Sequence, residues 1–266
     1  AIVQGARFPF AMVRQSLDPQ AELQPISRVM RPQEPREPFP YRTVELAVAS
    51  VEGVTLAGTL TLPDGAGPFP AVVLVPGSGP QDRDWDVAGH QPAVLWADRL
   101  AREGIASYRY DERGLGASTG DVPSATTADL AADASAAARA LDARADVSVV
   151  GVVGHSEGGI IAPLVAGSVE AVDFVVLLAG SSVSGADVLA DQNDALAVAA
   201  GQDVQGSAAY ARGLRRALEA FVNSPMLTDA TRAAMEQSLV EAGRELDPAT
   251  AAAFALTPET APAQIQ

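Results

Sequence analysis

Residues 147–159 read Val-Ser-Val-Val-Gly-Val-Val-Gly-His-Ser-Glu-Gly-Gly, an apolar strand that breaks abruptly into a glycine-framed serine. A helix-compatible stretch follows, so the segment is a strand–turn–helix unit. A continuous apolar strand needs cover on both faces, and a helix that follows it directly packs back along the sheet. The glycines account for the turn. Gly154 and Gly158 lie two residues either side of Ser156, where side chains would collide with the turning chain. A hydroxyl on so strained a turn stands clear of the sheet, which is the placement a G-x-S-x-G segment gives a nucleophile. Ser156 is the candidate nucleophile.

The rest of the chain supplies a matching frame. Thr43–Ala49 alternates, with Val44, Leu46 and Val48 on one face. Val54–Leu62 repeats the pattern through Val54, Leu56, Gly58 and Leu60, so the two predict a hairpin turning at Glu52-Gly53. Residues 71–75 read as a strand covered on both faces, 92–103 as a helix stopped by Gly104, and 105–110 as the next strand. Residues 127–144 form an alanine-rich helix with Leu130, Ala134, Ala137 and Leu141 on one stripe. Strand 147–153, helix 157–168 and strand 172–178 follow. This alternation predicts an α/β fold, a mostly parallel sheet with helices on both faces. Past Gly180, residues 186–222 and 229–253 read as two or three amphipathic helices parted by Asn223-Ser-Pro. Ahead of the hairpin, 1–30 reads as the remnant of a preceding module. Residues 31–42, with proline at nearly every third position, read as a stiff linker. The expected organisation is thus 43–185 as an α/β core and 186–266 as a helical segment.

Composition excludes several classes of function. The chain has no lysine, and eighteen arginines against thirty-three acidic residues give a net charge of −15. Such a surface repels nucleic acid and anionic membranes. Zero cysteines removes disulfides, thiol catalysis and cysteine metal sites. Two isolated histidines make no ligand set for a metal, and no glycine-rich phosphate loop opens a helix, so no cofactor is expected. No apolar run approaches the roughly eighteen residues of a membrane span. The chain begins at Ala1 rather than methionine, and a periplasmic or secreted location is favoured over a cytoplasmic one.

Four stretches, taken in order, resemble the α/β-hydrolase superfamily, with the nearest likeness to bacterial serine esterases and serine aminopeptidase-like hydrolases. They are Pro76-Gly-Ser-Gly-Pro-Gln-Asp-Arg-Asp84, Tyr108-Arg-Tyr-Asp-Glu-Arg-Gly-Leu-Gly-Ala-Ser118, Gly154–Gly159, and Leu177-Leu-Ala-Gly180. The likeness runs from about Arg31 to Gly185. It implies a helical cap after the sixth strand and an oxyanion hole built from backbone N–H groups. One donor is Glu157, at the start of a helix, and the other is Ser78, with Gly79 next in line. Asp111 and Arg113 are expected to anchor backbone. Asp82, Arg83 and Asp84 either tie down the loop by salt bridges or bind something polar at the site mouth. The Glu157 side chain has two open readings, a backbone role alone or one favouring a substrate amine.

The resemblance also marks what this sequence does not supply. The family's base is a histidine that follows the nucleophile in the order Ser, Asp or Glu, His. His90 precedes Ser156, and His155 is aimed away from it by the turn. The strands that carry the acid and the histidine are missing after the cap, which leaves one sheet edge apolar and uncovered. Three accounts follow: a further segment or second polypeptide completes the triad, the chain only binds ligand, or Ser156 works with His90 or a carboxylate. The implied activity is a carboxylesterase acting on small or medium acyl esters through an acyl-enzyme on Ser156. An aminopeptidase or amidase with the same machinery, and a non-catalytic ligand-binding protein, are the alternatives.

Overall fold

The computed structural model describes residues 34–87, 89–121, 125–223 and 228–264, so the expected remnant at 1–30 lies outside it. The described residues fall into two compact units, one ending at Gly180 and one beginning at Ser181.

The first unit is a six-stranded sheet. Strands β1 (Tyr41–Ala49) and β2 (Thr55–Pro63) form the predicted hairpin, with Tyr41 opposite Pro63 and Ala49 opposite Thr55. Tyr41 and Arg42, read from sequence as linker, belong to β1 because both pair with β2. The turn closes through Ser50 N–H to Val54 C=O at 2.9 Å, with Gly53 at φ 80. Then come β3 (Phe69–Val75), helix α1 (Pro92–Arg102), β4 (Ala106–Tyr110), helix α2 (Thr127–Asp142), β5 (Val147–His155), helix α3 (Gly158–Ser168) and β6 (Phe174–Leu178). The sheet order is β1-β2-β4-β3-β5-β6. The four strands from β3 to β6 are parallel, while β2 is antiparallel to both β1 and β4.

The central strands are covered on both faces, as their apolar runs require. On β3, Ala71, Val73 and Val75 join Leu130, Ala134, Ala137 and Leu141 of α2 and Ile161 and Val165 of α3 in the larger cluster. Val72 and Leu74 point the other way, against Ala93 and Leu100 of α1 and the indole of Trp85. The α2 stripe read from sequence is therefore the buried one. Its helix opens with a capping box, in which the Thr126 side chain and Asp129 satisfy each other's backbone N–H groups. It ends at Asp142, two residues before the predicted end.

Strand β6 breaks the pattern. It is the last strand of the sheet, and Phe174, Val175, Val176 and Leu177 are all exposed, Leu177 by 49%. This is the uncovered apolar edge expected from sequence. Strand β6 starts at Phe174 rather than 172, because the Asp173 carboxylate and N–H close onto the N–H and C=O of Val150, both at 2.8 Å.

The second unit is helical. It holds α4 (Gly185–Ala199), α5 (Val204–Asn223), α6 (Asp229–Gly243), α7 (Pro248–Ala253) and a short 3-10 turn at Ala261–Gln264. Four α-helices replace the expected two or three. Gly201 at φ 79 ends α4, and the Asp247 side chain caps α7 through Ala249 and Thr250 N–H. Phe221, Met235, Leu239 and Leu256 form its core. No helix among the described residues is long and apolar enough to cross a membrane.

Candidate active site

Strand β5 delivers Ser156 to the turn. The strand runs to His155, two residues past its predicted end, and its last pairs are Val75–Gly154 and His155–Leu178. Ser156 then takes φ 54, a left-handed conformation that costs a side-chain-bearing residue about 1–3 kcal/mol. Three backbone bonds hold it there. Leu178 C=O accepts the Ser156 N–H, Ser156 C=O accepts the Gly159 N–H, and Pro76 C=O accepts the Gly158 N–H, each at 2.9 Å. The glycines are steric necessities. A Cβ on Gly154 would lie 1.9 Å from Gly158 O, one on Gly158 2.4 Å from Val75 O, and one on Gly159 2.5 Å from Gly180 Cα. Ser156 itself is exposed, with its hydroxyl clear of the sheet.

The loop after β3 lies directly against this turn. A Cβ on Gly77 would come within 3.1 Å of Ser156 Cβ and 3.3 Å of His155 Nδ1. Ser78 is exposed and Gly79 adopts φ 90, so the loop presents small residues beside the serine. Glu157 stands as the N-cap of α3. Its side chain is 4% exposed and accepts the Thr127 hydroxyl at 2.8 Å. It is turned into the protein, so only its backbone remains in play at the serine.

Ion pairs fix the loop's far end, as one of the two sequence readings had it. The Arg83 guanidinium meets both Asp111 oxygens at 3.1 and 2.8 Å, Thr59 at 3.0 Å and Glu45 at 2.6 Å. Asp111 also accepts the Arg83 N–H at 3.0 Å and the Ala117 N–H at 3.2 Å. Burial pushes the Asp111 carboxyl upward, but the Arg83 bonds outweigh it and hold the group below the usual range. Asp84 pairs with Arg109, and Asp82 accepts the N–H groups of Asp84 and Asp86. Arg113 turns to α2, where it meets Asp133 at 2.7 Å. Asp111, Arg113 and Asp133 are buried, while Asp82 at the outer end of the loop is exposed.

Each histidine has a contact of its own. His155 is exposed and stacks on Trp85, with ring centroids 6.1 Å apart and planes at 27°. His90 forms a backbone bridge with Val87 in the approach to α1. Among the described residues no group of three His, Cys, Asp or Glu side chains is placed to hold a metal ion.

Two features went unread in the sequence. One is Trp85, buried at φ 56 beneath His155. With Ser156 and Ala179, it is one of three residues next to the turn that carry positive φ without being glycine. The other is Glu112, 5% exposed, whose carboxyl accepts the Gln81 N–H at 3.0 Å. Burial, with Glu157 and Asp133 nearby, pushes it up to about 7 against the pull of that bond. Nothing in Asp111-Glu112-Arg113 distinguishes it from its acidic neighbour.

The elbow, the adjacent small-residue loop and the 1-2-4-3-5-6 strand order describe an α/β hydrolase. A family model described as serine aminopeptidase, S33, matches residues 93–255. The chain belongs to that family. This S33-family chain is also similar to esterase EstD of Thermotoga maritima, at 37% identity over 137 residues. The match covers 52% of this chain and 33% of that esterase, so the chain spans about a third of its relative's length. Among solved structures, an esterase of Pyrococcus furiosus aligns with a TM-score of 0.48 at 19% identity, over 60% of this chain and 57% of that one. A hypothetical protein of Pseudomonas aeruginosa aligns with a TM-score of 0.46 at 20% identity, over 65% of this chain and 60% of that one.

Proposed function

We propose that the S33-family protein is a serine hydrolase that cleaves carboxylic esters of small or medium acyl groups. The observation that carries this reading is Ser156 at φ 54, exposed on a turn that only glycines allow and pressed against the Gly77-Ser78-Gly79 loop. Ser156 Oγ attacks the ester carbonyl while a base takes its proton. The carbonyl oxygen becomes an oxyanion between the N–H groups of Ser78 and Glu157. The tetrahedral species expels the alcohol to leave an acyl-enzyme, and water then releases the acid by the same steps in reverse roles. Each oxyanion donor of this kind contributes about 3 kcal/mol to the rate.

The base and its acid are assigned to residues outside this sequence, in a further segment or a second polypeptide. The exposed apolar edge of β6 supports that assignment, because a parallel strand normally has cover on both faces. The family description favours a second substrate class, aminoacyl amides, which the same machinery would attack.

A fluorophosphonate probe on the purified full-length protein, followed by peptide mapping, tests the nucleophile. The label is expected on Ser156 and is expected to vanish in Ser156→Ala. Labelling or hydrolysis that survives Ser156→Ala would overturn the reading, and no labelling at all would favour a ligand-binding protein. p-Nitrophenyl esters run beside aminoacyl p-nitroanilides decide between the two substrate classes.

A further inference from the structure

Two consecutive acidic residues after β4 both reach the loop at 76–84, which lies about thirty positions earlier. Asp111 takes the N–H and guanidinium of Arg83. Glu112 takes the Gln81 N–H at 3.0 Å and returns its own N–H to the Gln81 C=O at 3.2 Å, closing a ring on that one residue. The other end of the loop is held at Pro76, whose carbonyl accepts the Gly158 N–H at 2.9 Å. Ser78 therefore lies on a short span between the nucleophile turn and Glu112.

The surroundings of Glu112 differ from those of Asp111. Asp111 is matched by the Arg83 cation. The charged groups facing Glu112 are carboxylates: Glu157 at the start of α3, and Asp133 on α2, which is itself held by Arg113. The phenol of Tyr110 on β4 is its further titratable neighbour. Glu112 thus touches the main chain of one proposed oxyanion segment and faces the side chain of the residue that heads the other.

We propose that Glu112 is a positioning residue of the oxyanion hole, holding the Gln81 main chain so that the Ser78 amide keeps its spacing from Glu157. The inference rests on the hydrolase reading given above. Near neutral pH the Glu112 carboxyl exchanges its proton. Its ionisation makes it a stronger acceptor for the Gln81 N–H, while Glu157 and Asp133 oppose the charge. The span is held more firmly when Glu112 is charged, so part of the rise of kcat across neutral pH belongs to Glu112.

The test uses the full-length protein, with Glu112→Gln and Glu112→Ala beside the wild type. The Gln81 amide is followed by 1H–15N NMR against pH, and kcat and KM by hydrolysis of p-nitrophenyl acetate. The Gln81 amide is expected to titrate with a midpoint near 7 in the wild type and to stop titrating in Glu112→Gln. Glu112→Ala is expected to lower kcat about tenfold at nearly constant KM, a part of the 10²–10³ that outright loss of a donor costs. Glu112→Gln, which keeps an acceptor for Gln81, restores most of that rate and removes that part of the rise with pH. A Gln81 amide that does not titrate, or still titrates in Glu112→Gln, overturns the proposal, as does an unchanged kcat in folded Glu112→Ala. Should Glu112→Ala fail to fold, the amide titration and the Glu112→Gln pH profile decide. If no Ser156-dependent hydrolysis is found, the hydrolase reading has failed, and the Gln81 titration still decides whether Glu112 holds the loop.

Discussion

The pair Arg113–Asp133 separates the energy of breaking a buried ion pair from that of replacing it. Asp133 on α2 is fully buried and Arg113 is 7% exposed. The guanidinium meets the carboxylate through Nε at 2.7 Å and Nη2 at 2.9 Å, and Asp133 also accepts the Ser50 hydroxyl. In Asp133→Ala, Arg113 keeps the Asp129 carbonyl at 2.9 Å and the Asp129 carboxylate at 3.7 Å. The latter is 44% exposed and so a weak counter-charge. An uncompensated buried cation should therefore cost about 3–5 kcal/mol. Arg113→Met combined with Asp133→Leu removes both charges and fills much the same volume, so it should return stability to within about 1 kcal/mol of wild type. The double variant is then expected to be about 2–4 kcal/mol more stable than Asp133→Ala, although it carries one change more. Urea unfolding followed by tryptophan fluorescence is the assay, since Trp85 and Trp96 both lie in the sheet unit. The pair is buried, so the difference should change little between low and high salt. A loss under about 1 kcal/mol in Asp133→Ala, or a double variant as unstable as the single one, would refute the reasoning.

Three further outcomes are expected. Glu112 is raised in the folded state from 4.5 to about 7, so its protonated form is favoured by folding. Its contribution is fully present below pH 4.5 and is lost as pH rises through 7. Glu112→Gln removes that dependence, and its stability relative to wild type should improve by about 2–3 kcal/mol between pH 5 and pH 8 in urea titrations. Equal slopes for the two proteins would contradict this. Gly154→Ala, whose Cβ would meet Gly158 O at 1.9 Å, should destabilise by about 2 kcal/mol or more and abolish probe labelling of Ser156. Gly167→Ala, with nothing within 4 Å on the exposed end of α3, should be neutral or stabilising by up to about 1 kcal/mol.

Much of the sheet unit was legible because its signals are local. The apolar run at 71–75 and the alternation at 43–49 and 54–62 each specify their own strand and its buried faces. Gly154 and Gly158 frame Ser156 within five residues, so steric necessity alone marks the turn. The α2 stripe was legible for the same reason, since i and i+4 residues share a helical face. The helical segment was less so. The Gly201 stop and the Asp247 cap are short signals, and they split it into more helices than its periodicity suggested.

What the sequence by itself determined is the chemistry of the turn, the strand and helix periods, and the exclusion of thiol and cysteine-metal sites. Each of these depends on residues a few positions apart. The tertiary structure decided which carboxylates brace the site. It turned Glu157 inward onto Thr127, gave Asp111 to Arg83, and set Glu112 on the Gln81 main chain among other carboxylates. In the sequence these are three similar acids. Their roles diverge because the partners lie twenty-eight to thirty-one positions away, and burial and charge are properties of what the fold brings together.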